Sequence, residues 1–530
     1  MHGSPLTPCY GGNAFCIGNG SPRMRPHPVC NTTGLDGGPP LANQRHSGSE
    51  GGMYQDYGLL IGGEWRKRGG AGEIEVADPA TGEVIGAAPA ASAQDVAEAI
   101  VAAEQGLKTW RATPAWARAD LLHKAADIMT ARSEEAARRM VLETGKPLAQ
   151  ARREWGLSID QFRWYAEEAR RIYGRIIESR APGGRVEISH EPVGIAAAFT
   201  AWNFPAFLIA RKVAPALAAG CSIIVRPSRE VPGTAMLLID CVRQAGVPPG
   251  VVNLVSGPTA TTYDPIMASP RVRKISLTGS TAIGQQMIRD SANTLKRVSM
   301  ELGGNAPVLV FEDAQVEQVL DLSVGVKFAN AGQVCVTADR FYVHEKLMKP
   351  FVEGFTARAR ALTLGHGLDA ASQMGPLINQ RRIDAMEKIV ADATARGGKI
   401  QTGGGRPQGQ NKGFFFEPTV ITNLPDDALA MKDENFGPIA AITSFASTEE
   451  AYARANSSEH GLAAYVFTRD PTRMREAAAR LEAGMVGVNS YALAAAEAPF
   501  GGIKASGMGR EGGSEGILDY MNVKLTQVVV

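Results

Sequence analysis

The stretch VSMELGGNAPVLVFEDAQVEQVLDLSVGVKFANAGQVCVTADR, residues 298–340, decides how the rest of the chain is read. It carries two reactive side chains set among small residues. Glu301 runs into Leu302-Gly303-Gly304, and Cys335 follows Asn330-Ala331-Gly332-Gln333-Val334. A cysteine acts as a nucleophile when its thiolate is favoured and the backbone beside it leaves room for substrate. A glutamate can then serve as general base in a second, hydrolytic step. A solitary cysteine is more often a small buried hydrophobe, so the weight rests on the text around it.

Outward from this stretch, several motifs stand in one order. AWNFP (201–205) and LTGSTAIG (277–284) precede MELGGNAP (300–307) and GQVC (332–335); ENFGPI (434–439) and PFGGIKASGMGRE (499–511) follow. Together they resemble the aldehyde dehydrogenase superfamily, from about Leu59 to the C-terminus, with succinate-semialdehyde dehydrogenases the nearest neighbours within it. The resemblance implies an α/β fold with a doubly wound cofactor-binding domain, an α/β catalytic domain and a small β oligomerisation arm. It implies a small-molecule aldehyde as partner and a homodimer, or a homotetramer built from dimers.

Composition narrows the class. A chain of 530 residues is long enough for more than one core. A hydrophobic content of 44% with 21% charged residues fits a soluble globular protein. The net charge of +1 offers no basic excess for nucleic acid. Six cysteines do not make a disulfide framework, and Cys335 must stay reduced to react, which suits the cytoplasm. The longest apolar run, VGIAAAFTAWNFPAFLIA (193–210), is interrupted by Asn203 and Pro205 and followed by Arg211-Lys212. It reads as a buried strand, a turn and a helix start, not as a membrane span.

Residues 1–52 are rich in Gly, Pro, Ser and Asn and are expected to be disordered or extended. Met53 is a candidate natural start. Cys9, Cys16 and Cys30 lie here without a C-x-x-C pair, so no metal site is expected. Segments 53–173 and 193–303 are assigned to the cofactor-binding domain, 304–515 to the catalytic domain, and 174–192 with 516–530 to the arm. Strands are predicted over 58–86, helices over 93–173 with a break at Thr144-Gly145-Lys146-Pro147, and a hairpin about the Pro-Gly-Gly of RIIESRAPGGRVEISHE. GIAAAFT, SIIV, VNLV, KISLTG and RVSMEL, separated by helical stretches, predict a parallel sheet. NVKLTQVVV (522–530) alternates and reads as a strand rejoining the arm.

The chemistry is then assigned residue by residue. Cys335 is the candidate nucleophile, forming a thiohemiacetal with the aldehyde carbon. Its oxyanion needs donors; the resemblance nominates the Asn203 amide, with the Cys335 N–H as a second donor. Loss of hydride to a nicotinamide would leave a thioester, which water activated by Glu301 would hydrolyse. Lys212 matches a family lysine near the active site, although a lysine after an apolar run is commonly a solvated end. A G-x-G-x-x-G does occur at 507–512, but it follows no predicted strand and is set aside. The dinucleotide loop is placed at Gly279, Ser280 and Gly284, after the strand KISLT, where a helix N-terminus favours a pyrophosphate. By resemblance, Glu434 and Phe436 hold the nicotinamide ribose and wall the ring, and Thr200, Trp202 and Leu302 are further cofactor positions.

Three alternatives stay open: a cysteine esterase without redox activity, a relative that passes the acyl group to CoA, and a non-catalytic homologue. Departures from the family also inform. Relatives acting on succinic semialdehyde hold its carboxylate with two arginines and a serine. Arg211 matches one arginine, but Ala329 and Ala494 stand at the other two positions. Succinic semialdehyde is therefore not expected to be the best substrate, and an apolar or aromatic aldehyde would suit a pocket with Tyr491 nearby. The family's second cysteine is Thr337 here, which removes a redox switch. After SIIV the chain reads Arg226-Pro227-Ser228-Arg229-Glu230. Relatives carry a lysine at the first position and, at the fourth, a glutamate that binds the ribose 2′-hydroxyl. Arg226 and Arg229 flanking Ser228 could clamp a 2′-phosphate, so the cofactor is expected to be NADP or NAD, with NADP favoured.

Overall fold

The computed structural model describes residues 54–409 and 412–529. The N-terminal segment with its three cysteines, the candidate start Met53 and the final Val530 lie outside the described residues. Two large sheets are built by the predicted strand and helix alternation. The first has eight strands, in the order Glu64–Arg66, Leu59–Ile61, Val252–Leu254, Ser222–Arg226, Ile195–Phe199, Val272–Thr278, Arg297–Glu301 and Gly507–Met508. Its five central strands run parallel, and the additions at both edges are antiparallel. The strands at its centre are apolar, as burial on both faces requires; Ile195–Phe199, IAAAF, is buried throughout.

The strand order reverses beside Ile195–Phe199. The next two strands in sequence lie on one side of it, and Val272–Thr278 lies on the other. Such a reversal opens a crevice at the carboxyl ends of the two diverging strands. Thr200 follows one strand directly, and Gly279 follows the other.

The second sheet has seven strands, in the order Lys399–Thr402, Thr419–Thr422, Ile439–Phe445, Ala338–His344, Ala306–Val310, Ala463–Phe467 and Met485–Val488. It is parallel except at its first pair. Only residues 302–305 separate the end of Arg297–Glu301 in the first sheet from the start of Ala306–Val310 in the second. A third sheet joins Arg175–Glu178, Gly184–Pro192 and Met521–Val529. Its exposed residues include Ile176, Ile177, Val523 and Leu525. The predicted hairpin and the C-terminal strand thus meet as expected. The short strand Gly507–Met508, from the set-aside glycine motif, pairs with Arg297–Glu301; it adds an edge to the first sheet and opens no βαβ unit.

Among the described residues, no helix is long and apolar enough to cross a membrane. The helix Leu148–Ala169 lies along Pro205–Ala219, the helix that begins inside AWNFP. Every residue of Pro205–Ala219 is buried, Arg211 and Lys212 included. A wholly buried helix carrying two cations must satisfy or use them, and both point into the site described next.

Candidate active site

Cys335 sits on a turn that most sequences would resist. Asn330 and Ala331 adopt φ of 49° and 53°, and Gly332 follows at 72°. Left-handed backbone is disfavoured for residues with a Cβ, so the turn persists only if its surroundings hold it. Gln150 Oε1 accepts from the Asn330 N–H at 2.8 Å. The Asn330 amide donates to the Asn203 carbonyl at 3.1 Å. The buried Gln333 side chain donates to the Asn330 carbonyl at 2.9 Å and accepts from the Ile378 N–H at 3.0 Å. A Cβ on Gly332 would lie 2.1 Å from the Gly437 carbonyl oxygen. The letters GQVC therefore read physically as a residue with no Cβ, a spool for the turn, a spacer and the thiol.

The same turn fixes Asn203. Its Nδ2 donates to the Gln333 carbonyl at 3.0 Å, which uses one of its two N–H groups and leaves the other. Its own carbonyl accepts from Lys146 Nζ at 2.7 Å. Lys146 is buried, lies over the Phe204 ring at 4.3 Å and is ion-paired to the buried Glu154. Glu154 in turn accepts from the backbone N–H groups of Ala206 and Phe207, at 2.9 and 3.3 Å. A carboxylate thus caps the start of Pro205–Ala219, as the positive end of a helix favours.

Glu301 ends its strand with both carboxylate oxygens buried and without a hydrogen-bond partner among the described residues. Burial, with the nearby Glu511 carboxylate, holds its pKa well above the usual carboxylate range, while Lys212 and Arg211 pull it down. The short link 302–305 brings this segment against the nucleophile: a Cβ on Gly304 would lie 2.5 Å from the Cys335 carbonyl oxygen. The Cys335 thiol is pushed up to about 12 by burial, then by Glu434 and Glu301, and Arg211 opposes the rise. Lys212 is no solvated end. It is fully buried, ion-paired to Glu511 and donating to Thr278 Oγ1 at 2.7 Å.

Arg211, matched in the sequence to a carboxylate-binding arginine, lies beside the nucleophile. It is 2% exposed, with its guanidinium between the Phe207 and Phe500 rings at 4.2 and 4.1 Å. Nε and Nη2, the edge that meets a carboxylate with two parallel bonds, have no hydrogen-bond partner among the described residues. The Tyr491 ring packs at a tilt of 57° against Tyr465, centroids 4.5 Å apart, and Tyr491 shares a hydrogen bond of 2.7 Å with Ser323, while Tyr465 donates to the Val336 carbonyl next to the nucleophile. Ala329 and Ala494 are both partly exposed.

A dinucleotide fits the crevice at the strand reversal. Ser280 caps the helix Thr281–Ala292 without a side-chain hydrogen bond of its own, and the first turn carries no acid, which suits a pyrophosphate. The Thr200 hydroxyl is buried and unpartnered among the described residues. The Leu302 side chain lies directly against Gly284. Glu434 accepts from the Gly304 N–H at 3.0 Å, and burial raises its pKa to about 7. Phe436, held at φ 45°, meets Trp202 edge to face at 5.5 Å. Arg226 donates to Thr262 and to the Gly257 carbonyl, both at 3.3 Å. Arg229 extends into solvent, and Glu230 receives the Ser228 hydroxyl.

Sequence reasoning missed Lys146, Glu154 and Glu511 as parts of this site. Glu511 closes a quoted motif, so a signal existed; Lys146 and Glu154 read as a helix break and an ordinary helix face.

The profile of the Aldehyde dehydrogenase family matches residues 65–526, and this chain belongs to that family. It is an NAD(P)-dependent oxidoreductase acting on aldehydes. It is 41% identical over 464 residues to a glutarate-semialdehyde dehydrogenase of Pseudomonas aeruginosa, covering 88% of this chain and 96% of that one. It is also 41% identical over 465 residues to an NADP(+) succinate-semialdehyde dehydrogenase of Escherichia coli, covering 88% of this chain and 96% of that one. The crystal structure of a succinate-semialdehyde dehydrogenase from Burkholderia pseudomallei matches with a TM-score of 0.87 at 42% identity, over 89% of this chain and 98% of that chain.

Proposed function

We propose that this enzyme oxidises an aldehyde bearing a carboxylate at its far end, longer or bulkier than succinic semialdehyde, to the corresponding dicarboxylic acid. The observation that carries this reading is the buried, uncommitted edge of Arg211 beside Cys335 and Glu301. A guanidinium removed from water without a partner is costly, and a carboxylate meets its two donors in parallel. The two relatives named above act on aldehydes of this kind. Ala329 and Ala494 supply neither charge nor hydroxyl, so a substrate that needs a second and third anchor at those places is held less well.

Cys335 adds to the aldehyde carbon as a thiolate, its thiol proton having passed to water. The uncommitted N–H of Asn203 and the Cys335 N–H donate to the oxyanion so formed. The nicotinamide, when bound, takes up the hydride. Glu301 then draws a proton from water, which attacks the thioester and releases the acid. Its raised pKa makes it a strong acceptor once ionised, and Lys212 holds Glu511 so that two carboxylates do not face each other unpaired. Thr200, Trp202, Gly279, Ser280, Gly284, Leu302, Glu434 and Phe436 would hold the dinucleotide.

For the cofactor, NADP is accepted at least as well as NAD. Position 229 offers a guanidinium where relatives place a carboxylate. Glu230, the carboxylate that could replace it, has Arg229 at 3.6 Å and Arg381 at 3.4 Å, so its charge is already answered. The arm formed by 174–192 and 516–530, with its exposed apolar residues, supports a homodimer or a tetramer of dimers. Segments 53–173 with 193–303, and 304–515, serve as cofactor-binding and catalytic domains. The reaction belongs to the reducing cytoplasm, where Cys335 stays a thiol.

The test is a panel of purified aldehydes with both cofactors, with and without CoA. Glutaric semialdehyde should exceed succinic semialdehyde and hexanal in kcat/KM. Arg211→Leu should lower the value for glutaric semialdehyde by one to two orders of magnitude, from charge-assisted hydrogen bonds of about 1.5–3 kcal/mol. Succinic semialdehyde as the best substrate, or an Arg211→Leu variant with an unchanged profile, would overturn the reading. Cys335→Ala should abolish oxidation while leaving dinucleotide binding nearly intact.

A further inference from the structure

Helix Leu148–Ala169 presents one face to the buried helix Pro205–Ala219. Glu154, Ser158, Gln161 and Tyr165 recur at intervals of four, three and four residues, which places them on one stripe of that face. The two ends of the stripe are located by contacts. Glu154 caps the start of Pro205–Ala219 through Ala206 and Phe207. Tyr165 interacts electrostatically with Arg211 and lies beside the Gly512 backbone. Gln161 lies one turn before Tyr165 on the same stripe, between the residues that make these two contacts.

The polar atoms on this stripe have no protein partner where one is expected. Gln161 is fully buried, yet neither its Oε1 nor its Nε2 has a hydrogen-bond partner among the described residues. The buried Tyr165 hydroxyl faces the backbone at Gly512, whose N–H is directed at its oxygen, and its own O–H has no acceptor among the described residues. Arg211 Nε and Nη2 share this condition. A single orphaned amide atom can be an accident of packing. An amide, a phenol O–H and the carboxylate-binding edge of an arginine, all buried on two helices that pack together, are groups that folded proteins rarely leave unused. Its electrostatics favour an anion. Burial raises the Glu301 carboxyl well above the usual carboxylate range, Glu511 is paired with Lys212, and burial raises the Tyr165 phenol.

We propose that Gln161 and Tyr165 are specificity residues that donate, through Nε2 and the phenol O–H, to the far carboxylate of the substrate held by Arg211. They would do on this side of the pocket what charge and hydroxyl at positions 329 and 494 cannot do on the other. The inference rests on the reading that Arg211 receives a substrate carboxylate. It adds that the receiving site is three-sided and that two of its sides come from helix Leu148–Ala169. A carboxylate has lone pairs enough for both edges of the arginine fork and for two further donors.

The experiment compares kcat/KM for glutaric semialdehyde with kcat/KM for hexanal in wild type, Tyr165→Phe, Gln161→Leu, Gln161→Met and Arg211→Leu. It also measures glutarate as a competitive inhibitor against hexanal in each. The ratio for a single protein is insensitive to how much of it is folded. Tyr165→Phe and either Gln161 variant are expected to lower the ratio by about tenfold or more each, through KM, and to weaken glutarate inhibition in parallel, as loss of a hydrogen bond to a charged group does. A ratio and an inhibition constant that stay at wild-type values in the Tyr165 and Gln161 variants, while Arg211→Leu loses both, would overturn this inference and leave the Arg211 reading standing. A wild type that does not favour glutaric semialdehyde over hexanal would overturn both.

Discussion

Glu434 gives the enzyme a stability that falls as pH rises, and Glu434→Gln should remove that dependence. The carboxyl is raised from its usual value to about 7, chiefly by burial, with Asp339 adding to the rise and the Gly304 N–H and Arg382 opposing it. Between the ordinary carboxyl pKa of about 4.5 and 7, the folded chain binds a proton that the unfolded chain does not, so stability declines with pH across that window and the loss is complete above it. A shift of about 2.5 units corresponds to about 3 kcal/mol at most, and about 2.5 kcal/mol of it develops between pH 5 and 8. Glutamine keeps an oxygen for the Gly304 N–H at the same length and carries no charge. Urea unfolding of both proteins at half-unit pH steps is the assay. The variant should gain on wild type by about 2.5 kcal/mol from pH 5 to pH 8, with the gain flattening above pH 7.5. A difference that is constant across this range, or one that grows toward acid, would refute the assignment of a neutral buried carboxyl.

Three further outcomes follow from the site. Glu301→Gln should give a pre-steady-state burst of reduced cofactor followed by slow turnover, because only thioester hydrolysis needs the base; unchanged steady-state turnover would exclude it from that role. Lys146→Met should leave Glu154 buried without its cation and release the Asn203 carbonyl. A loss of about 3–5 kcal/mol in unfolding free energy is expected, together with a fall in kcat, and a variant matching wild type in both would show that the pair positions nothing. Arg229→Glu should shift the NADP to NAD ratio of kcat/KM toward NAD by at least tenfold, as a carboxylate repels a 2′-phosphate; an unchanged ratio counts against Arg229.

The parts of the site that the sequence disclosed are those written in contiguous letters. Cys335, Glu301 and Asn203 each stand inside a short motif of small residues, and the local backbone each requires, a left-handed turn at Ala331 or a close approach at Gly304, leaves its mark in the neighbouring letters. What stayed hidden is held by pairs far apart in the chain. Lys146 and Glu154 support the Asn203 segment from 57 and 49 positions away, and each alone looks like a helix end or a helix face. Lys212 could be read as solvated because nothing near it in sequence answers its charge; Glu511, at the far end of the chain, does. The stripe of Glu154, Ser158, Gln161 and Tyr165 fits helical periodicity, but periodicity says only that a face is buried, not that the polar groups on it lack partners.

The turn at Asn330–Gly332 has a consequence for the chain before it is finished. Its conformation is held by Gln150, Asn203, Ile378 and the backbone at Gly437, which arrive from segments spread across most of the sequence. Until they meet, position 335 carries an ordinary cysteine with a pKa near 8.5. Completion of the fold takes that thiol to about 12, so its thiolate population at neutral pH drops by roughly a thousandfold or more. Burial in the finished fold therefore lowers the reactivity of this thiol toward peroxide and other thiol oxidants.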